Sequence, residues 1–111
     1  MPVPGGLPAA WRATSSTLEP GSLRIGYVTP IGEYAEYAAS TAPADVFLPD
    51  ITGGATEVGS VTVDGVAWRQ LSDGDDHTSL VRSAAGATVV VGGVRETTTL
   101  DELRALAAAV R

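Results

Sequence analysis

The residues best suited to chemistry lie in one short segment, Asp73-Gly-Asp-Asp-His77, which gathers three carboxylates beside the sole histidine of the chain. Asp73, Asp75 and Asp76 offer hard oxygen donors on a glycine-bent loop, the donor type that suits a divalent cation such as Ca2+, and His77 adds an imidazole. The segment lacks the ligand order and the closing glutamate of an EF-hand. Asp and Gly are also the ordinary residues of tight turns, and a solvated hairpin tip accounts for them without a ligand. The turn reading takes precedence. No metal site is assigned, and Asp73, Asp75, Asp76 and His77 stand as weak candidates only.

The same histidine could be joined to an aspartate and to Ser72, Ser79 or Ser83 as a nucleophile triad. No G-x-S-x-G elbow accompanies these serines, and such residues can be selected from almost any chain. A hydrolase using His77 is therefore an alternative of last resort, and no catalytic residue is assigned. Gly53-Gly54 and Gly92-Gly93 form neither a dinucleotide fingerprint nor a phosphate-binding loop, so no cofactor is expected. With no cysteine in the chain, disulfides, thiolate metal sites and thiol redox chemistry are excluded.

The aromatic residues carry the remaining interest. Tyr27, Tyr34, Tyr37 and Trp68 form a candidate ligand or partner surface if they line one groove. The competing reading makes Trp11, Tyr27 and Trp68 core anchors, and for both tryptophans the core is preferred because large aromatics are usually well buried. Tyr34 and Tyr37 fall on opposite faces if their segment is a strand.

A chain of 111 residues with 44% hydrophobic and 18% charged residues is sized and composed for one globular domain. The expected division is a Pro/Gly-rich linker or tail over 1–10 and a single domain over 11–111. The net charge of −6 arises from thirteen acids against seven arginines, with no lysine. Those arginines are scattered, which argues against nucleic acid or an anionic membrane surface as partner, since both require a concentrated basic patch. No apolar run approaches the length of a membrane span.

Turn chemistry and periodicity place the elements. Arg12 to Leu18 suits an edge strand, Glu19-Pro-Gly-Ser22 a turn, and Leu23 to Thr29 a returning strand with Leu23, Ile25 and Tyr27 on one face and Arg24, Gly26 and Val28 on the other. Glu33 to Ser40 is compatible with strand or helix, and its position after a tight turn tilts it toward strand. Thr41 to Ile51 reads as a short helix that Pro49 must end or kink. Val61 to Trp68 is a hairpin about Asp64-Gly65, with Val63 opposite Val66 and Val61 opposite Trp68. Leu80 to Ala84 and Ala87 to Gly92 follow as strands about Ala85-Gly86, and the run Val89 to Val91 reads as central and covered on both faces. Thr99-Leu-Asp-Glu102 is a capping box opening an amphipathic helix with Leu100, Leu103, Leu106, Ala107 and Val110 in its apolar stripe. The expected fold is α+β: a single antiparallel sheet of about six or seven strands, one short helix, and one C-terminal amphipathic helix.

The order of these signals resembles a known family. Leu7-Pro-x-x-Trp11, the string Gly26-Tyr-Val-Thr-Pro-x-Gly-x-Tyr34, Gly65-Val-Ala-Trp68, Val89-Val-Val-Gly-Gly and Glu102-Leu occur in the arrangement of an actinobacterial family of single-span envelope proteins whose domain has no assigned function. A weaker likeness runs to PsbP-like α+β folds. The family resemblance implies an N-terminal membrane helix followed by an extracytoplasmic domain, and it supports the strand reading of Glu33 to Ser40. This chain departs from the pattern, since Met1 stands directly before the Pro/Gly-rich stretch. The resemblance carries over no catalytic residue. The functional expectation is a non-enzymatic extracytoplasmic module that binds a protein or other envelope component. The alternative is a small-molecule carrier with a pocket between sheet and helix.

Overall fold

The computed structural model describes residues 5, 11–30, 32, 34–42, 56–63, 65–72, 78–84, 86–93 and 100–110. Among these residues seven strands form one antiparallel sheet: β1 (Arg12–Glu19), β2 (Ser22–Val28), β3 (Tyr34–Ser40), β4 (Thr56–Val63), β5 (Val66–Ser72), β6 (Thr78–Ala84) and β7 (Ala87–Gly93). One helix, α1 (Leu100–Ala109), follows them. The expectation of an α+β fold is thereby corrected. Among the described residues the protein is nearly all-β, and the short C-terminal helix is its sole helix. The physical reason is that closely spaced hairpins use most of the described residues, and the ambiguous segment is a strand from Tyr34 to Ser40. The helix expected over Thr41 to Ile51 lies beyond Ala42 outside the described residues, as do Thr99 of the capping box and the whole of Asp73 to His77.

The strand order β1-β2-β3-β7-β6-β5-β4 joins two antiparallel meanders, one of β1 to β3 and one of β4 to β7, along the β3–β7 seam. Local turns fix each meander. Gly21, Gly65 and Gly86 adopt positive φ of 78°, 80° and 77° between paired strands, a conformation that an L side chain resists. Pairing of Val63 with Val66 and of Val61 with Trp68 follows the Asp64-Gly65 expectation residue for residue. The seam between the meanders is non-local and sets Tyr37 beside Val91 and Ala39 beside Val89.

One face of the sheet carries the core. Strand alternation places Tyr27, Ala35, Tyr37, Ala39, Trp68, Leu80, Val89 and Val91 on it, and α1 lays Leu103, Leu106 and Ala107 against them, with Val110 directly after the helix. Burying each leucine contributes about 2 kcal/mol. Arg104 and Ala105 face solvent on the other side of the helix. The helix packs mainly on β7, β6 and β4. Ala38, Val81 and Val90 are buried on the opposite face, so the sheet's centre is covered on both sides as the Val89 to Val91 run implies. The two edge strands differ from the centre: every residue of β1 is exposed, and so are most of β4. Each carries a register shift, at Thr14 in β1 and at Val58 in β4.

Candidate functional site

A concavity lies on the outer face of β1, β2 and β3, opposite the helix. It has a volume of about 260 Å3 and is lined by Ser15, Thr17 and Glu19, by Ser22, Arg24 and Gly26, and by Glu36. Register brings these residues together. Glu19 pairs with Ser22, Thr17 with Arg24 and Ser15 with Gly26, while Arg24 and Gly26 in turn flank Ala38 and Glu36. Alternation then puts the six lining side chains and Gly26 on one surface.

Arg24 and Glu36 provide the charge. The Arg24 Nε and Nη2 atoms both donate to Oε1 of Glu36, at 3.0 and 2.7 Å. Arg24 is half exposed, so the pair orients the two side chains more than it stabilises the fold. With Glu19 the concavity carries a net charge of about −1, by formal charges at neutral pH.

The Gly26 to Tyr34 string has a structural explanation at this site. The chain turns between Thr29 and Gly32, with Gly32 N–H donating to the Thr29 carbonyl at 2.9 Å and Gly32 at φ 86°. The turn returns the chain so that Val28 pairs with Tyr34, and the Tyr34 ring lies diagonally across Gly26. A Cβ at Gly26 would run into the Tyr34 hydroxyl and lie 2.7 Å from Ser15 Oγ. The Ser15 and Tyr34 hydroxyls are hydrogen-bonded at 3.3 Å, and Thr14 Oγ1 donates to the Gly26 carbonyl at 3.3 Å. Glycine is thus required here by the close approach of a ring to the backbone. The result ties the bulged start of β1 to β2 and β3.

The four aromatic candidates do not share a surface. Tyr27, Tyr37 and Trp68 are buried in the core cluster under α1, and Tyr34 lies half-buried on the opposite face beside the concavity. Trp11 packs edge-on against Tyr27, with ring centroids 6.3 Å apart. Burial raises the Tyr27 hydroxyl above its ordinary pKa, and burial together with the neighbouring Tyr27 pushes Tyr37 up to about 12. Both are neutral core residues across the physiological range.

The serines of the sketched triad stand on strands, Ser72 at the end of β5 and Ser79 and Ser83 on the outer face of β6, whereas His77 lies outside the described residues. Among the described residues no group of His, Cys, Asp and Glu could hold a metal ion. The space between helix and sheet is filled by Trp68, Tyr37, Leu80, Leu103 and Leu106. A concavity of about 120 Å3 opens at the end of that seam. It is smaller than the roughly 300–1,000 Å3 of usual small-molecule sites, so it admits only a group of a few heavy atoms. No described helix is long and apolar enough to cross a membrane.

Sequence reasoning missed the concavity because its residues come from three strands, and only the register unites them. The available signal was the face shared by Arg24, Gly26 and Val28. It missed Arg82 as well, which lies with its guanidinium 5.2 Å over the Trp68 ring. The chain belongs to a family of proteins of unknown function, DUF4245, whose model matches residues 1–110. No curated protein and no solved structure matches it.

Proposed function

We propose that this member of the family is a non-enzymatic binding module on the outer side of a cell membrane, and that it captures an extended segment of a partner protein along β1. The observation that carries this reading is the exposure of β1 along its whole length, with Leu18 75% exposed at its free edge. The likeness of the Gly26 to Tyr34 string to single-span envelope proteins supports the location.

An edge strand presents a row of backbone donors and acceptors to which a further strand can add. From Ser15 to Glu19 the β1 register is regular, beyond the shift at Thr14. An added strand would set alternate side chains on the two faces of the sheet. On the inner side it meets the exposed Leu18 and the half-buried Leu23, an apolar strip at the margin of the core. On the outer side it meets the polar concavity of Ser15, Thr17, Glu19 and the Arg24–Glu36 pair. The matching partner segment alternates apolar residues with basic or hydroxyl ones. Basic residues also complement the chain's net charge of −6.

A photocrosslinking residue at position 18, with another at the exposed Arg104 on the helix as control, tests this. The reading expects one discrete adduct from position 18, competed away by unlabelled protein but not by Leu18→Lys protein. Equal adducts from both positions, or equal competition by Leu18→Lys, would remove its basis.

A further inference from the structure

We infer that Arg82 and Trp68 form a recognition pocket for a small carboxylate with a short apolar tail, at the end of the helix–sheet seam and on the face opposite the β1 concavity. The pocket is the 120 Å3 concavity described above, floored by Trp68 and Arg82 and walled by Val63 and Val66 on one side and Ala107 and Val110 on the other.

Arg82 is placed there by strand parity. Arg82 pairs with Val89 and lies two residues beyond Leu80, whose partner is Val91, so its side chain leaves β6 on the core face. An arginine on a core face needs partners for its in-plane N–H groups. The Trp68 ring, 5.2 Å from the guanidinium carbon, satisfies the face of the cation and not its edge. The buried Nε of Arg82 has no hydrogen-bond partner among the described residues. Neither ion pair among the described residues, Arg24–Glu36 or Arg69–Glu57, involves it. A desolvated donor left in this state is costly. The planar fork is the geometry that a carboxylate fills with two parallel hydrogen bonds.

The other walls define the rest of the ligand. Valine and alanine side chains offer no polar group, so what accompanies the carboxylate is aliphatic. The volume admits a group of a few carbon atoms and excludes a larger acid. The carbonyls at the end of α1 would repel an anion. Two of them are already engaged: Ala107 O accepts from Val110 N–H at 3.1 Å, and Ala109 O accepts from Gly5 N–H at 2.9 Å. The same chemistry is offered by a free short-chain acid and by the C-terminal carboxylate of a peptide ending in a small apolar residue.

The test is an NMR titration of the isotope-labelled protein with acetate, propionate and butyrate at constant ionic strength, with chloride as control. The Trp68 indole N–H and the Arg82 Nε–H are followed. Saturable shifts at both groups are expected, with Kd on the order of 1–10 mM and tighter for butyrate than for acetate. Arg82→Gln should weaken binding by about tenfold or more. Because Arg82→Gln also alters the core face, Ala108→Leu, which fills the pocket and keeps the arginine, should abolish the shifts while the fold is retained. Peptides ending Ala-Val with a free or an amidated C-terminus separate the two sources: tighter binding of the free-ended peptide than of butyrate assigns the pocket to a chain terminus, and the reverse assigns it to a free acid. Linear shifts without saturation, shifts equal in chloride, or shifts unchanged in both variants would overturn the inference. Arg82 would then serve only as the cation at the helix C-terminus.

Discussion

Replacing Gly26 by alanine tests the close approach that organises β1 to β3. The new Cβ would meet the Tyr34 hydroxyl, and it would lie 2.7 Å from both Tyr34 Cζ and Ser15 Oγ. The ring must swing away, which breaks the Ser15–Tyr34 hydrogen bond of 3.3 Å and withdraws ring packing from the strand. Loss of the hydrogen bond costs about 1 kcal/mol and the displaced ring about 1–2 kcal/mol. Against this, alanine is favoured over glycine within a strand by roughly 0.5–1 kcal/mol. The net expectation is a destabilisation of about 1–2 kcal/mol, read from urea unfolding. The sign should reverse once the ring is gone. In a Tyr34→Ala background the ring is gone, the rotatable Ser15 hydroxyl can give way, and Gly26→Ala should stabilise by about 0.5 kcal/mol. Four proteins complete the cycle. Effects of Gly26→Ala that agree in both backgrounds, within about 0.5 kcal/mol, would refute the ring-over-glycine argument.

Trp68→Ala removes a fully buried side chain and the support of Arg82, and should cost about 3–5 kcal/mol in denaturant unfolding. Above pH 10 the protein should lose stability. The unfolded chain releases its tyrosine protons near 10.0, whereas folded Tyr37 holds its proton to about 12, so the unfolded state binds fewer protons as the pH rises. The loss through Tyr37 begins near pH 10 and reaches about 2–3 kcal/mol by pH 12, and Tyr37→Phe should reduce it in melting curves taken across that range. Arg24→Ala and Glu36→Ala should show a coupling below about 1 kcal/mol in a double-mutant cycle, because the pair is half exposed and screened by solvent.

The hairpins were legible in the sequence because their information is local. Pro20-Gly21, Asp64-Gly65 and Ala85-Gly86 each carry the residue that a tight turn demands, and the flanking alternation assigns the faces. The β3–β7 seam was not legible. Tyr34 to Ser40 is rich in alanine, a poor strand former, and its strand state is settled by burial between β2 and β7. Turn chemistry does not say which two meanders will meet, or by which edges. The fold class went astray for a related reason: capping and stripe signals announce a helix strongly, yet the ten residues of α1 only cover part of a sheet that uses most of the described chain.

The site was legible in parts. The string from Gly26 to Tyr34 stood out by its spacing, and a ring lying over a glycine across a turn accounts for it. Arg24 and Glu36, twelve residues apart, gave no sign that they are ion-paired until the β2–β3 register set them diagonally. Arg82 was counted only among the scattered arginines, since arginine is rarely placed on a core face. Its parity with Leu80 was the signal available.

Amide hydrogen exchange on the complex captured by the module tests the central claim, partner binding by strand addition to β1, most directly. The account predicts slowed exchange in Arg12–Glu19 on binding, concentrated from Ser15 onward where the register is regular, with α1 unchanged. Unaltered exchange in β1 together with protection elsewhere in the bound protein would contradict it.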